Sequence, residues 1–271
     1  MQSKVYYKFT RDNEKNGEYQ YVDGINRIDE NDSLNNKKLF CYGITNVFSF
    51  LFAGAKYVRE VKVEKDWIIS YSKTITDCFY AKKMIFTTRL DLTDISTFTY
   101  LFNKLTKTYS QDNLTLKWAR VLEWACGEGH IDIVKHIFSL INPDSKLINE
   151  CLHYPIKYGR LEVVKYLIEK GADFCPYKNP YIYDSFEICS HKGHMETVKY
   201  LLSLVNDVNE LFCFYDKNMR SLLSDVEYCK ILVERGLGYG KHNECLKHCV
   251  QNGYINSVKY LVSIGADIQS I

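Results

Sequence analysis

Apolar residues recur at fixed offsets in five stretches of the second half of the chain. Aligned on a central lysine (Lys135, Lys165, Lys199, Lys230 and Lys259), the first reads Ile131, Val134, Ile137 and Phe138, and the second Leu161, Val164, Leu167 and Ile168. The third gives Met195, Val198, Leu201 and Leu202; the fourth Val226, Cys229, Leu232 and Val233; the fifth Ile255, Val258, Leu261 and Val262. Offsets of i, i+3, i+6 and i+7 place one stripe on one face of a helix. The lysines lie 30, 34, 31 and 29 residues apart, and a period near thirty with one helix per period is the mark of a solenoid.

A second, shorter helical phrase precedes each stripe. Leu122, Leu152, Phe186 and Leu246 hold one aligned position, and Ala125, Pro155, Cys189 and Cys249 hold another, where mostly small residues let neighbouring helices approach. Gly129, Gly159, Gly193 and Gly253 suit the tight turn between the paired helices, since glycine takes positive φ without strain. Gly171 and Gly265, each followed by Ala-Asp, stand where the second helix should stop. Each unit therefore reads as helix, turn, helix and polar connection. The pattern resembles the ankyrin repeat, whose unit is ~33 residues with two antiparallel helices. The matching words are Gly129-His130, Gly193-His194, "VVKYLIEKGAD" from Val163 and "SVKYLVSIGAD" from Ser257. The resemblance spans residues 112–271 as about five units, without the family's Thr-Pro-Leu-His opening, and it implies an all-α solenoid. The fourth unit is degenerate: around Arg220 and Ser224 it lacks both the small residue and the glycine.

Residues 1–108 carry no such period and read as a small α+β domain. Val5–Thr10 and Glu18–Ile25 predict strands, with "NEKNG" as the turn between them. A helix is expected from Thr45 or Asn46 to Gly54, followed by a strand through Val58, Val61 and Val63. A second helix is expected from Asp94 through Phe98, Leu101, Phe102 and Leu105. This segment resembles the leader domain that precedes ankyrin arrays in giant amoeba-infecting DNA viruses of the mimivirus type. The likeness rests on "YKFT", on "YVDGIN" at Tyr21–Asn26 and on "GITNVFSFLFAGAKYVREV" at Gly43–Val61. It implies membership of a large paralogous set and carries no catalytic residue.

Composition narrows the functional classes. A net charge of +2 gives no general electrostatic reason to expect nucleic acid or an acidic membrane as a partner. The first residues lack the apolar core of a signal peptide, and the most apolar stretch, Val47–Ala55, is far below the ~20 residues that span a bilayer. The expected location is the cytosol (the host's, if the protein is viral), without secretion. The ten cysteines fit that setting as reduced side chains, and no C-x-x-C pair occurs.

All seven histidines fall in the repeats, so the N-terminal domain lacks the commonest general acid–base residue. Its remaining candidates are Cys41, Cys78 and the carboxylates Asp77, Asp91 and Asp94, which suit turn and cap positions better than catalysis. His242, Cys245, His248 and Cys249 form the tightest potential metal set, with His242, Cys245 and Cys249 on one helical face, but the cysteines hold helix-packing offsets, where small buried hydrophobes are expected. His130 and His194, after their turn glycines, are expected to satisfy local backbone groups. The sequence thus predicts neither catalytic residues, nor a metal, nor a cofactor.

Binding in such an array belongs to the exposed connections and the adjoining first helices. Two connections are long and aromatic, Gly171–Asp184 and Asn206–Asn218. Aromatic side chains are preferred interface anchors, so the expected partner-binding residues are Tyr177, Tyr181, Tyr183, Phe214 and Tyr215, with Tyr239 apart from them. The lysine at the centre of each stripe should line one edge of the stack, diluted by Asp132, Glu162, Glu196 and Glu227. The leading function is a non-enzymatic module that binds a host or viral protein. A ubiquitin-ligase adaptor, or an enzyme with a catalytic N-terminal domain and targeting repeats, are the alternatives.

Overall fold

The apolar and aromatic run Val5–Thr10 forms β1, and its register explains how the N-terminal half is layered. β1 pairs antiparallel with β6 (Tyr57–Lys62), placing Tyr7 opposite Glu60 and Phe9 opposite Val58, and it meets β5 (Leu39–Tyr42) with Tyr7 opposite Tyr42. Further strands are β2 (Lys15–Asn16), β3 (Tyr19–Gln20), β4 (Gly24–Arg27), β7 (Ile68–Tyr71), β8 (Cys78–Ala81) and β9 (Lys83–Asp91). Seven strands make one antiparallel sheet in the order β4-β9-β6-β1-β5-β8-β7, while β2 and β3 pair as a small ribbon. The computed structural model describes residues 4–16, 19–28, 39–106, 110–174, 180–205, 207–208 and 223–271.

One face of the sheet, carrying Tyr7, Phe9, Tyr42, Val58 and Glu60, receives α1 (Ile95–Leu105). Glu60 accepts hydrogen bonds from Tyr100 (2.6 Å) and Lys104 (2.8 Å) of that helix. The helix starts where the sequence places it: the Asp94 carboxylate accepts from the Ser96 amide, satisfying one of the first-turn donors. The opposite face buries Tyr21, Leu39, Cys41, Val61, Phe79, Ala81, Met84 and Phe86 in one cluster. Arg59 is fully buried, with its guanidinium 3.1 Å from Glu14, paired to Asp23 and 5.2 Å from the Phe86 ring.

Two local expectations are corrected here. The strand expected over Glu18–Ile25 is, over its described residues Tyr19–Ile25, not continuous, because the Asn26 side chain accepts from the Val22 amide and donates to the Val22 carbonyl, folding a turn between β3 and β4. The helix expected to reach Gly54 is a 3₁₀ helix over Ile44–Phe50, ended by extended Leu51. Its β-branched and aromatic residues are weak α-helix formers, and the tighter winding buries the adjacent Val47 and Phe48 together. Phe48 stacks on Phe102 of α1 at 4.7 Å.

The chain divides into two compact units, Met1–Pro143 and Asp144–Ile271. The first therefore includes α2 (Gln111–Glu128) and α3 (Ile131–Ile141), the helices of the first repeat. Trp118 of α2 stacks on Phe102, Trp124 donates its indole N–H to the Phe52 carbonyl (3.2 Å), and the Gly54 amide donates to Glu128 (2.8 Å).

The second unit contains α4 (Ser145–Lys157), α5 (Leu161–Glu169), α6 (Pro180–His191), α7 (Met195–Ser203), α8 (Val226–Glu234), α9 (Tyr239–Gln251) and α10 (Ile255–Ser263). First helices pack on first helices and second on second, as α4 on α6 and α5 on α7. The stripe buries as expected at its centre: Val164, Leu167, Val198, Leu201, Leu232 and Leu261 are almost wholly inaccessible. It is also wider than expected, since Val163, Thr197, Tyr228 and Ser257, two residues before each lysine, are buried too.

Candidate protein-interaction surface

The surface is framed by two repeated backbone devices. At the turn between the paired helices, the residue after the glycine donates back into the first helix: His130 to Ala125, Arg160 to Pro155, His194 to Cys189 and Tyr254 to Cys249, at 2.8–3.1 Å. The glycine sits at positive φ in each case, which releases the chain from the helix while its last carbonyls stay satisfied. At the end of the second helix the same geometry recurs, with Ala172 donating to Leu167 and Ala266 to Leu261. The Asn149 and Asn243 side chains then each accept a backbone amide of the connection, from Asp173 and Asp267, both at 2.8 Å. These asparagines were missed in the sequence; the signal was their common placement ahead of Gly159 and Gly253.

The predicted binding residues are placed unevenly. Tyr181 lies on α6 and is 72% exposed, with its ring 6.2 Å from that of His153 on α4. Tyr183 is also on α6, and Tyr239 opens α9, so both belong to helices rather than to connections; nothing is described of their side chains. The first connection is shorter than expected because Pro180 begins the helix, where its missing N–H costs nothing. Tyr177, Phe214 and Tyr215 lie outside the described residues.

The lysine line is largely neutralised. Lys165, Lys199 and Lys230 each reach the glutamate three residues earlier, Glu162 (3.1 Å), Glu196 (3.4 Å) and Glu227 (2.6 Å). Such exposed pairs add little stability, but they leave few unbalanced charges along the second helices.

The residues weighed for chemistry have local roles. His194 does not cap α7 through its side chain; it packs over Gly159, so close that an added Cβ there would lie 2.4 Å from its Cγ. Asp91 accepts from the amide and hydroxyl of Thr93, both at 2.7 Å, and Asp77 pairs with Lys4 at 2.6 Å. Cys41 and Cys78 are buried, and desolvation pushes their thiols up to about 12 and about 11, away from the reactive thiolate. Burial also pushes the Lys8 ammonium down to about 8. His242, Cys245 and Cys249 are buried in the fifth unit, and among the described residues no group of three or more His, Cys, Asp or Glu is arranged to hold a metal. Among the same residues no helix is long and apolar enough to cross a membrane.

Tandem pairs of antiparallel helices joined by glycine turns, with side-chain-anchored connections, define an ankyrin-repeat array. A family model for ankyrin repeats matches residues 93–178 and 122–211, so the chain carries ankyrin repeats, a general protein–protein interaction module. Similar proteins include ankyrin repeat proteins of Acanthamoeba polyphaga mimivirus. One is 27% identical over 294 residues, covering 99% of this chain and 59% of the relative. A second is 28% identical, covering 62% of this chain and 83% of the relative. A third is 26% identical, covering 79% and 58%. The match to the first relative takes in the sheet as well as the repeats, and the chain spans less than two thirds of that protein's length.

Proposed function

We propose that the protein is a non-enzymatic interaction module whose repeats, taken as residues 112–271, hold a host or viral protein, while residues 1–108 form a leader domain. The observation that carries the reading is Tyr181, 72% exposed on a first helix beside His153 and next to an aromatic connection. An aromatic ring held open to solvent on a rigid helix is a ready interface anchor, because little ordering is left to pay for. Tyr177, Tyr183, Phe214 and Tyr215 complete the candidate anchors, with Tyr239 a separate one. The partner is a protein rather than nucleic acid or a membrane, in keeping with the paired lysines of the second helices. The expected setting is the cytosol of an infected cell.

Affinity capture from infected cells, followed by mass spectrometry, tests the reading with Tyr177→Ala and Tyr181→Ala combined. Loss of the main partner with an unchanged melting temperature supports it. Unchanged capture moves the binding site away from these tyrosines. A turnover that disappears on changing Asp77, Asp91 or Cys78, with capture intact, replaces this reading by the enzymatic one.

A further inference from the structure

The turn side of units two and three carries a charge pattern that the tyrosine site does not use. Lys157 ends α4, and its Nζ lies 5.8 Å from the centre of the Tyr158 ring. Lys192 follows α6 in the next unit, and its Nζ lies 5.1 Å from the same ring. Two ammonium groups from successive units thus converge on one half-buried tyrosine. Arg160, exposed, stands at the same turn, beyond Gly159. Among the described residues neither Lys157 nor Lys192 forms an ion pair; the nearest acids in sequence on the second helices, Glu162 and Glu196, are taken by Lys165 and Lys199. His194, packed over Gly159, loses proton affinity first through burial and then through the positive charges of Lys192 and Arg160.

Like charges drawn together around an aromatic face repel one another, and the tyrosine quadrupole offsets only part of that cost. A carboxylate placed between them removes the repulsion and gains charge-assisted hydrogen bonds. Nothing lies within 4 Å of an added Cβ at Gly193, so a chain can approach the turn there. We propose that Lys157, Tyr158, Arg160 and Lys192 form a second docking surface, selective for an acidic, glutamate- or aspartate-rich segment of a partner protein. The surface lies at the C-terminal ends of α4 and α6, whereas Tyr181 stands in the first turn of α6, and the proposal is independent of the tyrosine site.

The test uses the full chain and a fluorescein-labelled hexaglutamate peptide, followed by fluorescence polarisation and by amide shifts in NMR spectra. Saturable binding is expected, weakening with salt and shifting the amides of Tyr158, Gly159, Gly193 and His194. Lys157→Glu with Lys192→Glu should weaken it by about tenfold or more, as expected when two attractive contacts become repulsive. Lys165→Glu, a change of equal charge at a site already paired, should stay within about twofold. If the double reversal unfolds the unit by circular dichroism, Lys157→Gln with Lys192→Gln provides the same comparison. The proposal is overturned if hexaglutamate fails to saturate, if hexaglutamine binds as well, if the shifts map elsewhere, or if Lys165→Glu weakens binding as much. Binding to anionic lipid vesicles without binding to hexaglutamate also overturns it.

Discussion

Replacing Gly159 by alanine isolates the contact between successive turns. Gly159 has φ +65°, where an L-residue loses roughly 1–2 kcal/mol. The new methyl would also lie 2.4 Å from His194 Cγ, 2.7 Å from Nδ1 and 2.8 Å from Cβ. Those are side-chain atoms near the root of the imidazole, which cannot swing away freely, and overpacking of this kind costs about 1–3 kcal/mol. The expected loss is therefore about 2–5 kcal/mol in all. Gly193 is the control: its φ is +72°, yet nothing lies within 4 Å of an added Cβ, so Gly193→Ala should lose only the backbone share of about 1–2 kcal/mol. Urea denaturation of both variants, with His194→Ala alone and combined with Gly159→Ala, closes a double-mutant cycle. Removing the imidazole should recover about 1–3 kcal/mol in the Gly159→Ala background and nothing comparable in the Gly193→Ala background. Equal losses for the two glycine variants, or no rescue by His194→Ala, would refute the argument.

Lys8 offers a pH-dependent test. Its folded-state pKa is near 8 against an ordinary 10.5, so the unfolded chain binds the extra proton between those values and stability from this group rises with pH across that window. Below pH 8 the buried ammonium costs about 3 kcal/mol, and Lys8→Met should return most of that, less about 1 kcal/mol for the Phe40 carbonyl that loses its donor. Chemical denaturation at pH 7 and pH 10.5 checks it, because the gain should be present at the first and largely gone at the second. Separately, Leu167→Ala should cost about 2–5 kcal/mol and exposed Glu169→Ala almost nothing, and matching denaturation midpoints would remove Leu167 from the core.

The repeats were legible because their helices announce themselves twice, by period and by glycine. Gly159 and Gly171 bracket α5 in the sequence as they do in the structure. What the stripe hid was Val163 and its equivalents, which are Val, Thr, Tyr and Ser in the second unit of the fold. A buried position that changes polarity from unit to unit leaves no periodic mark. The sheet was harder. β9, "KMIFTTRLD", buries Met84 and Phe86 but exposes its later residues, so alternation is strong for only half its length. β7 and β8 are four residues each; among the described residues β7 pairs only with β8, and β8 is held in turn by β5, far earlier in the chain, so pairing rather than local preference fixes them. Among the candidate site residues, aromatic content singled out Tyr181, which is exposed on α6, while the helix start at Pro180 escaped notice. The convergence of Lys157 and Lys192 could not be read from sequence, since it depends on how α4 and α6 lie side by side.

A linear array of repeats has two ends, and at each end a unit lacks the neighbour that would cover its apolar flank. Many arrays solve this with a specialised polar terminal repeat. Here α1 and the segment after the 3₁₀ helix take that office for the first repeat: Phe98 and Phe102 pack on Trp124 and Trp118, and the Phe52 carbonyl accepts the Trp124 indole N–H. α1 is then a lid on the first repeat as much as a layer on the sheet. Exchange of repeat arrays among related chains would succeed best when the sheet and the first repeat travel together, because separating them bares two tryptophans at once.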